Sequence, residues 1–122
     1  MSAPAGPPPP PLTPEARAAA AARGVHARQV RAQVRAGLAD GSVRVADVLR
    51  DGQSADERGR TLARMRVVDL LSSFRGIGSV RAADIMDAIG IAANRRVGGL
   101  GPRQVEELTH LIGERYPGGP GR

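Results

Sequence analysis

Apolar residues in this 122-residue chain recur three and four positions apart between glycine breaks, and nowhere alternate at period two for long enough to make a convincing strand. Ala27, Val30, Val34 and Leu38 set the pattern. Val45, Val48 and Leu49 repeat it, as do Ala82, Ala83, Ile85, Met86 and Ile89, and then Val105, Leu108, Leu111 and Ile112. Every such run is a helical face to be turned inward. The pattern predicts an all-α protein of five or six helices with no internal repeat.

The punctuation between the runs predicts where helices start and stop. Thr13-Pro14-Glu15 supplies a hydroxyl cap, a proline at the first helical position and an acid at the positive end of the macrodipole. The helix it opens runs to about Leu38, weakened but not broken at Gly24, and ends at Asp40-Gly41. A short helix is expected within Val43 to Arg50. Ser54-Ala55-Asp56-Glu57 has the spacing of a capping box for a further helix towards Met65. Val67, Val68, Leu70, Leu71 and Phe74 form the most apolar segment, which stops at Arg75-Gly76-Ile77-Gly78. The next helix runs from Ser79 or Val80 to Ile89, with Gly90 as a left-handed cap. Ile91 to Gly101 reads as a loop, and Gly101-Pro102 opens the last helix. Residues 1–12 hold six of the ten prolines and residues 117–122 read PGGPGR, so both ends are expected to be disordered tails around one helical domain at 13–116.

Composition removes whole classes of chemistry. There is no cysteine, tryptophan or lysine, and Phe74 and Tyr116 are the only aromatics. Thiolate nucleophiles, disulfides, cysteine-ligated zinc or iron–sulfur centres and lysine Schiff bases are therefore impossible. Platforms for stacking bases are nearly so. His26 and His110 are far apart and lack metal-ligand spacing, so neither a metal nor a cofactor is expected. No apolar run approaches the ~20 residues of a membrane span, and no secretory signal is apparent. A soluble, cytoplasmic protein with no membrane partner is the expectation.

All 18 basic residues are arginine, against 12 acids, for a net charge of +6. The charge is uneven: +4 over residues 13–38, −1 over 39–60, +3 over 61–101 and zero over 102–122. In the first segment Arg17, Arg28, Arg31 and Arg35 fall within about 60° of one another on a helical wheel, off the apolar stripe. Such a rail is either a solvated face or a surface for a polyanion.

Two loops combine glycine with arginine. In Phe74-Arg75-Gly76-Ile77-Gly78-Ser79-Val80-Arg81, the glycines permit a tight turn and close approach of another chain. Ile77 can plug the hairpin into the core, and the helix start at Ser79 exposes amides to an anion, with Arg81 one turn later. A plain tight connection would use the same glycines; Arg81 weighs towards phosphate. In Asn94-Arg95-Arg96-Val97-Gly98-Gly99-Leu100-Gly101-Pro102-Arg103, paired arginines precede another helix N-terminus. Paired loop arginines are commonly just solvated, but two anion-compatible loops joined by one helix are harder to dismiss.

From Leu12 to Tyr116 the chain resembles the actinobacterial integration host factor, the mycobacterial and streptomycete type of nucleoid-associated protein. The matching pieces are Leu12-Thr13 with its Ala/Arg-rich helix, Val48-Leu49 followed by an acidic turn, Met65 to Leu71, the Gly78 hairpin and Ile85-Met86. Above all there is Arg95-Arg96, followed by Gly99-Leu100-Gly101 and Arg103-Gln104. The resemblance implies a long N-terminal helix packed on a helix-two-turns-helix module that binds double-stranded DNA with low sequence preference. It further implies bending or compaction of DNA and assistance to phage-type site-specific recombination, in the nucleoid. Arg95 and Arg96 match the family's paired DNA-contacting arginines. The chain departs from the family at Gly98, commonly arginine, at Ser79, often lysine, and at Arg75, usually proline.

The expected function is thus non-enzymatic binding of duplex DNA by a monomer, through Arg95, Arg96, Arg81 and Arg103 with Gly76, Gly78, Ser79, Gly99 and Gly101. An integrase or recombinase complex is the expected protein partner. A structured-RNA binder of the ribosomal type is the alternative. A DNA glycosylase, which needs an activated nucleophile or catalytic acid in a base pocket, is disfavoured by the missing lysine and aromatics.

Overall fold

The computed structural model describes residues 11–116, and among them every regular element is helical. Six α-helices follow one another: α1 Pro14–Asp40, α2 Val45–Asp51, α3 Glu57–Ala63, α4 Val67–Ser73, α5 Ser79–Ile89 and α6 Pro102–Arg115, with a single 3-10 turn at Val97–Gly99. The all-α expectation holds. The proposed tails at 1–12 and 117–122 lie outside the described residues, apart from Pro11 and Leu12, which precede α1 without regular structure.

α1 begins as its sequence predicts: the Thr13 hydroxyl accepts from the Ala16 amide at 3.0 Å, and Pro14 fills the first helical position. Its 27 residues extend about 40 Å. Only the C-terminal half is built into the core, where Val30, Val34 and Leu38 are each 3 % exposed or less. The alanine-rich half before it stands largely clear of the other helices. The 3-10 turn and α1 both pack against α3, α2 lies between α3 and α6, and α4 packs on α1 and α5, which in turn meets α6. Leu49, Leu62, Val67, Leu70, Val97 and Leu108 are fully buried where these layers meet.

Three local expectations are corrected. Ser54 does not cap α3; Asp56 does, its carboxylate accepting from the Gly59 amide at 2.7 Å. The reason lies in Gly59, which is buried against the backbone carbonyl of Ser54 with no room for a Cβ. Ser54 is thereby held in a turn folded across the start of α3, donating its amide to Asp51 at 3.0 Å, instead of leading into the helix. Ala83, assigned to the inner face of α5, is exposed, because Ala82, Ile85 and Met86 already supply the buried stripe. Arg31 is half-buried at the edge of α1's packed face, so the rail it shares with exposed Arg17, Arg28 and Arg35 is not uniformly open.

Candidate nucleic-acid interface

The glycine hairpin lies between α4 and α5. The Phe74 ring packs edge-on against Tyr116 with centroids 6.0 Å apart, and the Arg75 amide donates to the carbonyl of Leu38 at 3.2 Å, tying the hairpin to the end of α1. Gly76 takes φ +88°, the left-handed conformation that L side chains avoid. Ile77 then turns inward, 3 % exposed, as the spacing predicts. Gly78 has a different role. Its φ of −88° is ordinary, and a Cβ there would meet no atom of the protein within 4 Å. It caps α5 without a side chain, and among the described residues no group satisfies the amides of Ser79 and Val80. These are open donors at the positive end of a helix. Arg81 is exposed and steadied by one bond from Nη1 to the Gly76 carbonyl at 3.1 Å, which leaves its other N–H groups outward. Beside it Val80 is 74 % exposed, a large apolar side chain at the mouth of the hairpin that the sequence reading did not single out.

The arginine loop is held from below. The amides of Val67 and Val97 donate to the carbonyls of Arg95 and Met65, both at 2.9 Å, so Arg66 and Arg96 pair across an isolated antiparallel bridge. Val97 is completely buried between these bonds, and Gly52 at the end of α2 comes so close that a Cβ there would strike the valine. The side chains of Arg95 and Arg96 stay exposed. Each spends one N–H on a carbonyl, Arg95 on Gly99 at 3.3 Å and Arg96 on Arg64 at 2.6 Å, so both guanidinium groups are positioned without being neutralised.

At the following helix start, Gln104 Oε1 accepts from the Gly101 amide at 3.0 Å while its Nε2 donates to the Gly90 carbonyl at 3.4 Å. The glutamine thus fastens the beginning of α6 to the end of α5. Arg103 forms an exposed ion pair with Glu107 at 3.1 Å, so its charge is partly answered within the chain.

The site residues therefore fall into two groups at opposite ends of α5. Gly76, Gly78, Ser79 and Arg81 sit at its N-terminus. Arg95, Arg96, Gly99, Gly101 and Arg103 follow its C-terminus, the helix between the groups having 11 residues and a length of about 16 Å. Local reasoning missed Arg64 and Arg66, which join the second group through the bridge and through the Arg64 carbonyl. Their one local signal was an Arg-Met-Arg spacing ahead of an apolar helix; the loop they meet is some thirty residues on. Gly98 also gains a reason: a Cβ there would lie 2.8 Å from the Cβ of Ala63 and 3.2 Å from its carbonyl oxygen, so the loop lies flat on the end of α3.

Two helices joined through consecutive turns, with arginine beside the exposed amides, define a helix-two-turns-helix protein. Residues 38–111 match the family model of the S13-like H2TH domain. The chain is 41% identical over 102 residues to the integration host factor of Streptomyces coelicolor, covering 84% of this chain and 92% of that one. It is 39% identical over 102 residues to the integration host factor of Mycobacterium tuberculosis, covering 84% and 93%. Among solved structures it is similar to one described as sIHF bound to an 8bp palindromic DNA, with a TM-score of 0.68 and 35% identity over 75% of this chain and 98% of that one. The chain belongs to the actinobacterial integration host factor family.

Proposed function

We propose that this protein binds double-stranded DNA through its phosphates, with low sequence preference and without catalysing a reaction. The observation that carries this reading is α5 itself, with open, arginine-edged amides at one tip and the fastened arginine pair beyond the other. The helix between the two groups is about 16 Å long, comparable to half a turn of B-form duplex, whose repeat is about 34 Å. Amides and guanidinium groups are suited to phosphate oxygens, and each phosphate neutralised releases counterions. Neither loop presents a recognition helix to base edges, which favours weak sequence dependence. The DNA-bound relative of the same fold supports the assignment.

In this reading Arg95, Arg96 and Arg81 supply the principal cations and the amides of Gly78 and Ser79 approach the backbone; the amides of Gly99 and Gly101, expected to do the same, are already given to the Arg96 carbonyl and to Gln104, so the second loop acts through its guanidinium groups, and Arg103 contributes less because of Glu107. The protein acts as a monomer in the nucleoid, bends or compacts DNA and assists an integrase or recombinase complex. Arg17, Arg28 and Arg35, with Arg31 at their edge, offer α1 as a second duplex contact, through which one molecule would hold two segments.

The decisive experiment measures duplex affinity against salt concentration for the wild type and for Arg95→Ala/Arg96→Ala. The double variant should remain folded and lose most affinity, with a salt slope shallower by about two phosphate equivalents. An unchanged slope would remove the loop from the interface. Stronger binding to structured RNA than to duplex DNA at equal salt would favour the ribosomal-type alternative instead.

A further inference from the structure

A second basic feature lies beside the arginine loop, between the alanine-rich half of α1 and α3. Arg23 projects from α1 two turns before Val30 and on the same side of the helix, so it occupies the line along which α1 would otherwise bury an apolar residue. Ala20, Gly24 and Ala27 surround it with small residues that leave this wall of the cleft low. Arg60 in the last turn of α3 and Arg64 at its C-cap line the opposite wall, four residues apart. The cleft measures about 680 Å³.

Its charge is not answered internally. Arg23, Arg60 and Arg64 form no ion pair among the described residues. Glu57 is the one acid lining the cleft, and it is paired with none of them, which leaves the cleft at net +2. Arg60 in the last turn of α3 and Arg64 at its C-cap suit the helix dipole, but at i and i+4 they repel each other and no acid is paired with either. No aromatic residue lines the cleft, so it has nothing to stack a nucleobase or other flat ring.

We propose that the α1–α3 cleft is a seat for phosphate oxyanions, held by the forked guanidinium groups of Arg23, Arg60 and Arg64. Planar forks with paired N–H groups fit phosphate oxygens two at a time, and net +2 suits one dianionic phosphoryl group or two phosphodiesters. The Arg64 carbonyl that receives Arg96 joins the cleft to the edge of the arginine loop. The phosphate therefore has two sources: the backbone of a duplex continuing past that loop, or a free phosphate-rich compound. The seat does not depend on the duplex reading above.

The test is titration of inorganic tripolyphosphate into the full chain by calorimetry, comparing the wild type with Arg23→Gln/Arg60→Gln and with Arg95→Ala/Arg96→Ala. Both substituted pairs, in the cleft and in the loop, are exposed, and thermal melting verifies that each variant is folded. The cleft variant should lose tripolyphosphate affinity by about tenfold or more, while the loop variant keeps most of it. Duplex salt slopes then assign the source. A slope reduced by about two in the cleft variant means backbone phosphates; an unchanged slope with lost tripolyphosphate binding means a free compound. If the cleft variant matches the wild type in both assays, the seat does not exist, whatever the loop variant does to duplex binding.

Discussion

Arg96 donates from Nη1 to the carbonyl oxygen of Arg64 at 2.6 Å, across 32 residues of chain, and the bridge of Arg96 with Arg66 fixes the same loop at its backbone. The loop is therefore not a flexible carrier of two charges. Its backbone hydrogen bonds and the burial of Val97 decide where the guanidinium groups stand. Val97→Ala tests this. It should cost about 2 kcal/mol of stability by opening a void beneath the loop, measured by denaturant unfolding. Duplex affinity should fall as well, although no charge has changed. Unaltered affinity in a destabilised but folded variant would show that the loop needs no anchor.

Gly98 invites repair towards the family's usual arginine, and the contact with Ala63 predicts failure. Gly98→Arg adds a cation but must push its Cβ into the end of α3. Overpacking of this kind costs about 1–3 kcal/mol. Gly98→Ala isolates the steric part from the charge and should be destabilising to a similar degree. Ala63→Gly should recover much of that loss, a coupling readable in a double-mutant cycle.

Much of this was legible in the sequence because it is local. The Thr13-Pro14 entry, the inward turn of Ile77, the left-handed Gly90 and the Gly101-Pro102 helix start each follow from neighbouring residues and backbone chemistry. What was missed depends on contacts between distant segments. Ser54 and Asp56 are both plausible caps by spacing, and the packing of Gly59 against the preceding turn chooses between them. Likewise Arg64 and Arg66 enter the site only because the chain returns to them at Arg96. Arg23 escaped notice because a wheel assigns it to the buried side of α1, and where α3 ends is not written in α1.

The two hairpin glycines should separate fold from contact. Gly76→Ala forces an alanine into φ +88° and should destabilise the protein, seen as a lower melting temperature. Gly78→Ala meets open space and should change stability by less than about 1 kcal/mol. Yet a methyl group at this position faces whatever approaches the open amides of α5, so duplex affinity should drop several-fold. Wild-type affinity in Gly78→Ala would mean that DNA does not come close to the hairpin.

Arg103 and Arg81 make a similar comparison for charge. Arg103→Ala removes a cation already paired with Glu107, so it should weaken duplex binding less than Arg81→Ala, whose partner among the described residues is a neutral carbonyl. Glu107→Gln should strengthen binding modestly by freeing Arg103, with a steeper salt slope. The reverse order of the two alanine variants would place the N-terminus of α6, rather than the hairpin, nearer the duplex.

An interface made only of arginine should also have a characteristic response to pH. Guanidinium groups stay protonated where lysines begin to lose charge, so duplex affinity should be constant between about pH 7.5 and about pH 9.5. On the acid side, Asp40 at the end of α1 is held below the ordinary carboxylate range by hydrogen bonds from the hydroxyl and then the amide of Ser42, the latter at 2.8 Å. A lowered folded-state pKa stabilises the fold above the unfolded value of about 4, and that contribution is lost as pH falls through the folded value. Melting temperature followed from neutral pH downward should therefore be insensitive to Asp40→Asn at the acid extreme and lower in the variant above about pH 5. Equal melting temperatures throughout would show that the Ser42 bonds add nothing to the end of α1.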